Sequence, residues 1–586
     1  MGKRRFRIVL IVPSHYDDDG YVIQWLRSPI PSNSLASVYG LLAECAAAKV
    51  LGPDTDIELD AHDEMNSVIN VDRIVRGIHA AGAGFVGLVG VQSNQFPRAL
   101  DLGRKLRAAG IPVVMGGFHV SGCLSMLAEL PPDLKEALDL GITLFAGEGE
   151  GRMAALLRDI DGGTLKPIYN YLSDMPDLDA AAIPILPRKA VARVLGKYAS
   201  FDAGRGCPFQ CSFCTIINVQ GRKSRYRSAD DVEAIVRAHA KQKITRYFIT
   251  DDNFARNRNW EAILDRLIAL REQEGFKIRL LLQVVTLCHR IPNFIEKCGR
   301  AGVLFIFIGL ESINPQSLMG TKKRQNKIWE YREMLQAWRR AGVITYCGYI
   351  LGFPTDTPES IAHDIELIKK ELPLDFLQFY FLTPLPGSED HKTLHERRVP
   401  MDPDMNKYDL EHVCTAHPNM SPAVWKRVYR ESWARYYTDA HVETILRRAF
   451  ASGLAMNKVS GLVTWLSGAT PIEHVHPLQL GIFRRKIRTQ RRSGMPIESP
   501  LVFYPRRALE ITKSTVQWLA RAQRYRTLRK RIAADPASRT YVDEALAPPP
   551  LDAAEDHLVQ AFANQIPKTH GAPKQHETAA VERIAG

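Results

Sequence analysis

The sequence predicts an α/β protein in three parts: an N-terminal doubly wound parallel sheet, a central partial (β/α)6 barrel and a mostly helical C-terminal region. Three observations predict it. Short apolar runs alternate with helical patterns up to about residue 166 and again from 198 to 400, and a Pro-rich stretch separates the two series. Beyond residue 400 the strand pattern stops and helical, basic segments take over. A chain of 586 residues is also too long for one core, so several domains are expected.

In the first series, strands are expected at 7–12, 57–59, 85–91, 112–115 and 142–146, with helices at 34–48, 71–81, 97–109 and 124–130. The strands are continuous Val, Ile and Leu runs, as in a parallel sheet buried on both faces. This unit covers residues 1–166. Pro167, Pro176, Pro184 and Pro187 mark an extended linker over 167–197. In the second series, strands fall at 198–203, 246–250, 279–285, 304–309, 345–351 and 376–382, with helices at 229–241, 260–274, 292–301, 329–341 and 358–371. Six regular units over 198–400 describe a partial barrel, whose chemistry sits at the C-terminal ends of its strands. Residues 401–544 read as helical and basic. Residues 545–586, with three consecutive prolines and few aromatics, read as an unstructured tail.

Lys and Arg number 77 against 64 Asp and Glu, a net charge of +13, which suits nucleic acid, a membrane surface or an anionic substrate. Nine cysteines are too few for a disulfide framework in a chain this long. The apolar run 8–12 stops at Pro13, short of a secretory core, and no stretch reaches the ~18 apolar residues of a membrane span. The expectation is a cytoplasmic, reducing location. Two basic runs, 484–492 and 521–531, read as solvated helix faces with packing aromatics or, alternatively, as a peripheral contact with anionic lipid. No RNA-binding module follows the barrel, which weighs against nucleic acid.

Directly after the first barrel strand, Cys207, Cys211 and Cys214 stand in the spacing C-x3-C-x2-C, with Gly204, Gly206 and Pro208 to turn the loop tightly. Three thiolates on one short loop suit three irons of a cubane cluster, leaving the fourth iron open. A structural zinc site wants four ligands, usually as two pairs, and no second pair lies nearby. Cys288, Cys298, Cys347 and Cys414 are scattered over strand and helix positions.

The loop, including Phe213 before the third cysteine, resembles the signature of the radical S-adenosylmethionine (SAM) superfamily. Later segments, each at an expected strand end, extend the resemblance. Asp251 and Asp252 resemble the second-strand segment that receives the SAM amino group, with an N-cap as the alternative role. Glu311 and Ser312 resemble the fourth-strand segment that meets the ribose and amino acid moiety. Gly348 and Gly352 resemble the adenine-contacting motif. The resemblance implies a [4Fe–4S] cluster on the three cysteines, SAM on the open iron, an electron donor such as flavodoxin or ferredoxin, and reductive cleavage of SAM to a 5′-deoxyadenosyl radical. The N-terminal unit is similar in arrangement to cobalamin-binding domains. Ser93, Asn94, Gly116, Gly117, His119, Glu148 and Gly149, at the ends of its third to fifth strands, look like the cobalamin-contacting segments. Asp60-Ala61-His62 lacks the glycine and the placement of a lower-ligand motif, and His15 lacks its motif altogether, so no protein histidine is expected on cobalt. The implied activity is C-methylation of an unactivated carbon of a lipid or secondary metabolite. A cobalamin-binding cyclase or rearrangement enzyme is the alternative, and a non-catalytic iron–sulfur or zinc module is the alternative of another class.

Overall fold

The computed structural model describes residues 4–409, 411–479 and 484–548. The N-terminal sheet contains β1 (Arg4–Val12), β2 (Thr55–Asp63), β3 (Gly84–Leu88), β4 (Val113–Gly116), β5 (Thr143–Ala146) and β6 (Ile168–Asn170), in the order β2-β1-β3-β4-β5-β6 with every pair parallel. Alternate residues of β1 enter two cores. Ile8 and Leu10 pack toward α1 (Asn33–Ala47), while Val9 and Ile11 pack toward α2 (Val71–Ala81) and α3 (Phe96–Ala108). Both faces are therefore buried, which is why the strand reads as an unbroken apolar run.

Two details of this unit differ from the sequence reading. The helix expected at 124–130 is α4 (Phe118–Met126), and a further helix, α5 (Pro132–Asp139), follows it. Gly117 sets the start of α4, and Pro131-Pro132 forces a new start. The linker also contributes the edge strand β6, paired Leu144 to Ile168, because Pro167 needs no ladder donor where a strand begins. After α6 (Met153–Asp161) and β6, the linker threads between the domains. The Ile185 amide donates to Ala36 O at 3.1 Å, and Arg227 of the barrel donates to Ala181 O at 2.9 Å.

The barrel strands β7 (Tyr198–Phe201), β8 (Arg246–Ile249), β9 (Arg279–Val284), β10 (Val303–Glu311), β11 (Ile344–Leu351) and β12 (Phe376–Phe381) lie side by side in chain order, all parallel. Their outer helices are α7 (Ala229–Lys241), α8 (Trp260–Glu272), α9 (Phe294–Ala301), α10 (Tyr331–Arg340) and α11 (Pro358–Glu371). Tyr349 of β11 donates to Asp364 of α11 at 2.9 Å, so odd positions of β11 face outward. Tyr346 and Gly348 face the lumen, where a Cβ on Gly348 would touch Phe307 and Tyr380.

The C-terminal region supplies α12 (Pro422–Tyr436), α13 (Asp439–Ala451), α14 (Met456–Gly468) and the 35-residue α15 (Pro500–Ala534). Aromatic packing seats α12 on β12, with Phe381 stacked on Tyr429 at 4.5 Å and Phe379 edge-on to Trp433 at 5.4 Å. Of the tail expected from residue 545, Ala545 is fully buried, and Gln336 donates to the carbonyls of Ala545 and Ala547 at 3.0 and 2.7 Å. Those hydrogen bonds carry ordered chain past the expected boundary, and residues 549–586 lie outside the described residues. Among the described residues, no helix is long and apolar enough to cross a membrane.

Candidate active site

The cysteine loop leaves β7 and folds back on itself, Gly204–Arg205 pairing antiparallel with Arg225–Tyr226. Gly206 has φ of +85°, and a Cβ there would lie 2.7 Å from Lys223 O, so the turn requires glycine. The Cys207 amide donates to Gly221 O at 3.2 Å, and the Ser212 amide to Thr321 O at 3.1 Å. Cys207, Cys211 and Cys214 are thus carried on one pinned loop as free thiols, within electrostatic reach of each other. Burial, with the Asp252 carboxylate adding to it, pushes the Cys214 thiol up to about 12, and burial raises Cys207 as well. Such thiols give up their protons in exchange for a metal.

Among the described residues, no three His, Cys, Asp or Glu side chains converge on a single metal ion. Thiolates that each bind a separate iron of a cubane need not do so. Cys288, Cys298 and Cys347 are sealed in the barrel wall, and Cys414 donates to Lys407 O. The donor set, three soft thiolates on one loop, fits a [4Fe–4S] cluster.

Beside the loop, β10 ends in a bulge between Gly309 and Glu311. Glu311 has φ of +64°, a conformation that costs a non-glycine residue about 1 kcal/mol or more. An ion pair with Lys323 holds it there. A Cβ on Gly309 would meet the Glu311 carboxylate. Asn326 donates to the carbonyls of Gly309 and Leu310 at 3.0 and 2.9 Å. The Lys323 ammonium also lies 5.6 Å from the centre of the Phe213 ring, and Gln325 reaches Cys211 Sγ at 3.5 Å. A carboxylate and an ammonium therefore stand together beside the cysteine loop, matched in charge to a zwitterionic amino acid. The sequence reading missed Lys323. Its signal was the polar run from Lys322 to Asn326, in the loop after β10.

Several expected contacts are differently employed. Asp251 accepts the amides of Ala203 and Gly204 at 2.6 and 2.9 Å and the Asn257 side chain at 3.3 Å, so it anchors the cysteine loop. Asp252 is the exposed carboxylate of the pair. Ser312 is buried, and its hydroxyl accepts the Asn314 amide at 2.9 Å. Gly348 faces the lumen, whereas a Cβ on Gly352 would lie 1.8 Å from the Trp425 indole, so Gly352 serves the packing of α12.

In the N-terminal unit a cavity of about 190 Å³ opens between α1 and the strand ends. Gly116, Gly117, Glu148 and Gly149 line it, with Arg205, Val219 and Gln220 from the barrel side. Gly117 has φ of +149°, and a Cβ would lie 2.1 Å from the Val91 amide nitrogen. Ser93, Asn94 and His119 do not line this cavity. His119 is buried, with Nδ1 3.1 Å from Ser93 Oγ and Nε2 2.8 Å from Asp133, which ties α4 to α5. Glu148 pairs with both Arg205 and Arg225, and Glu150 with Arg205 at 2.7 Å. These two carboxylates thus clamp the root of the cysteine loop.

Residues 203–368 match the radical SAM superfamily model. The bacteriochlorophyllide d C-8(2)-methyltransferase of Chlorobaculum tepidum is 25% identical over 397 residues, 64% of this chain and 82% of that one. The hopanoid C-2 methylase of Rhodopseudomonas palustris is 27% identical over 336 residues, 54% of this chain and 60% of that one. The fold is similar to that of TsrM, a radical SAM methyltransferase from Kitasatospora setae solved with cobalamin and a [4Fe–4S] cluster bound. That likeness has a TM-score of 0.56 at 14% identity and covers 80% of this chain and 99% of that one. With its cysteine loop at the first strand end of an open parallel barrel, the chain carries a radical SAM domain over residues 203–368 and is a radical SAM enzyme.

Proposed function

We propose that this enzyme transfers a methyl group from SAM to an unactivated carbon of an apolar small molecule or lipid, with cobalamin held by the N-terminal domain. One observation carries the reading: the N-terminal cavity is completed by Arg205, Val219 and Gln220 of the cysteine-loop region, so a group held there adjoins the cluster loop. The cavity fits part of such a cofactor. Its floor is apolar, with Leu10, Phe85, Val114 and Phe145. Asn33 Oδ1 and Ser37 Oγ are buried beside it without protein partners. A volume of about 190 Å³ is too small for a macrocycle and suits one planar aromatic appendage. Cobalamin, when bound, supplies a metal centre that accepts and releases a methyl group. Among the described residues no histidine lines the cavity. His15 is buried instead against Asp409, Arg484 and Gln479.

The chain's own residues have distinct tasks in this reading. Glu311 and Lys323 would hold the amino acid end of SAM beside the cysteine loop. Phe307, Tyr346 and Tyr380 give the lumen an aromatic lining, which excludes water from a radical and favours an apolar substrate. The names of the two similar methyltransferases agree in reaction type.

The test is product analysis with reduced, cobalamin-loaded protein and candidate apolar substrates. Methyl transfer should release S-adenosylhomocysteine and 5′-deoxyadenosine together. Release of 5′-deoxyadenosine alone during turnover of the true substrate would reject methyl transfer in favour of cyclisation or rearrangement.

A further inference from the structure

The two basic runs have different fates. In the first, Arg484 and Lys486 pair with Asp17 at 2.8 and 3.1 Å, and Arg492 pairs with Asp404 at 2.6 Å, so much of its charge is met within the protein. The second belongs to α15, which carries nine Lys and Arg against one Glu. One side of α15 packs on the protein through Phe503, Trp518, Tyr525 and Ile532. A Cβ on Gly468 would lie 2.4 Å from the Trp518 ring, and the indole N–H donates to Glu473 at 2.7 Å, so that side is firmly seated.

The opposite side is also apolar but bare. At 100° per residue, Leu501, Val502, Leu509, Val516 and Leu519 fall on one stripe, and they are 57–86% exposed. Met495 and Ile497, in the approach to the helix, are exposed as well. Lys513 flanks the stripe, and Arg526 and Lys530 continue it toward the C-terminal end. Among the described residues these three cations form no ion pair, whereas Arg506, Arg507, Arg524 and Arg531 do. Exposed apolar stripes of this extent mark interaction sites. Unpaired cations beside one select an anionic partner, and a stripe along a single long helix suits an extended surface.

We propose that α15 is a membrane-surface anchor. Its outer stripe enters the headgroup–acyl boundary of an anionic bilayer, with Lys513, Arg526 and Lys530 on lipid phosphates. The helix lies on the membrane and does not span it. This does not depend on the methyl-transfer reading, since its readout is binding and not turnover.

The experiment is co-sedimentation of the full chain with phosphatidylcholine vesicles, with and without phosphatidylglycerol. Wild type should bind the phosphatidylglycerol vesicles and release at high salt. Leu509→Asp/Val516→Asp/Leu519→Asp should abolish binding, and Lys513→Gln/Arg526→Gln/Lys530→Gln should weaken it about a hundredfold. Residues 501–519 of wild type should also gain protection from hydrogen exchange when vesicles are added, a readout that requires no variant. Equal binding by the triple Asp variant, or no vesicle binding and no protection in wild type, would overturn the proposal. So would wild-type self-association that the triple Asp variant abolishes, since a second copy would then cover the stripe. Binding of RNA in place of vesicles would overturn it too.

Discussion

At the scale of single residues, the site turns on which of two adjacent carboxylates faces inward. The pair Asp251-Asp252 is plain in the sequence, but its division of labour follows from the direction in which β8 delivers each Cβ, and that depends on the sheet. Removing the Asp251 carboxylate should leave two buried amides unmatched, at about 1–3 kcal/mol each. Asp251→Ala should therefore lower the melting temperature and the iron bound per chain after anaerobic reconstitution. Asp251→Asn, which keeps an acceptor, should retain most of both. Full iron content with lost SAM affinity in Asp251→Ala would instead assign this residue to SAM. The three cysteines were legible because their spacing is itself the chemistry. Lys323 was not, because its partner Glu311 is 12 positions away, at the end of a bulged strand that no local pattern announces.

At the scale of elements, helices with strong local punctuation were legible at both ends. Val71–Ala81, Ala229–Lys241 and Pro358–Glu371 begin at Asn70, Ser228 and Thr357, each capping an amide in the first turn. The three-residue β6 was missed because so short a segment carries no period and follows a proline. Gly352 stands out in the sequence as a site of close approach, and the structure brings an indole close to it. Its partner is Trp425, 73 positions later on α12, and nothing in the β11 segment points there. Gly352→Ala would force a Cβ into the indole at a φ of +102°, so it should cost on the order of 3 kcal/mol or more in chemical denaturation. A stability within ~0.5 kcal/mol of wild type would show that α12 yields and is not fixed against β11.

For the molecule as a whole, the sequence showed the two α/β units and the strand order within the barrel, since both follow from chain order. It did not show how the units meet. That junction is ionic and buried: Glu148 and Glu150 from the N-terminal unit, Asp202, Arg205, Arg225 and Arg227 from the barrel. Ordinary charged letters far apart in sequence give no sign of such a network. It also sets the N-terminal cavity against the cysteine loop. Glu148→Ala would leave Arg225 without a carboxylate and take one of three from Arg205, and should cost about 3 kcal/mol. Because Arg205 stands two residues before Cys207, iron loading should fall in parallel with the melting temperature. Normal iron content in a destabilised Glu148→Ala protein would show that the loop keeps its form without the clamp.

The joining of distant segments also has a temporal side. Gln24–Trp25 pairs antiparallel with Arg484–Arg485, Tyr21 donates to Glu498 at 2.6 Å, and Lys486 reaches Asp19. These partners are up to 477 positions apart, so on the ribosome the early segment waits for nearly the whole chain before its edge is covered. Until then Tyr21, Ile23 and Trp25, all buried in the finished protein, stand unprotected. Completion of this clasp is a late, long-range closure, and such closures are slow. The nascent protein consequently has a window in which a chaperone, or another nascent copy, competes for the same strand edge.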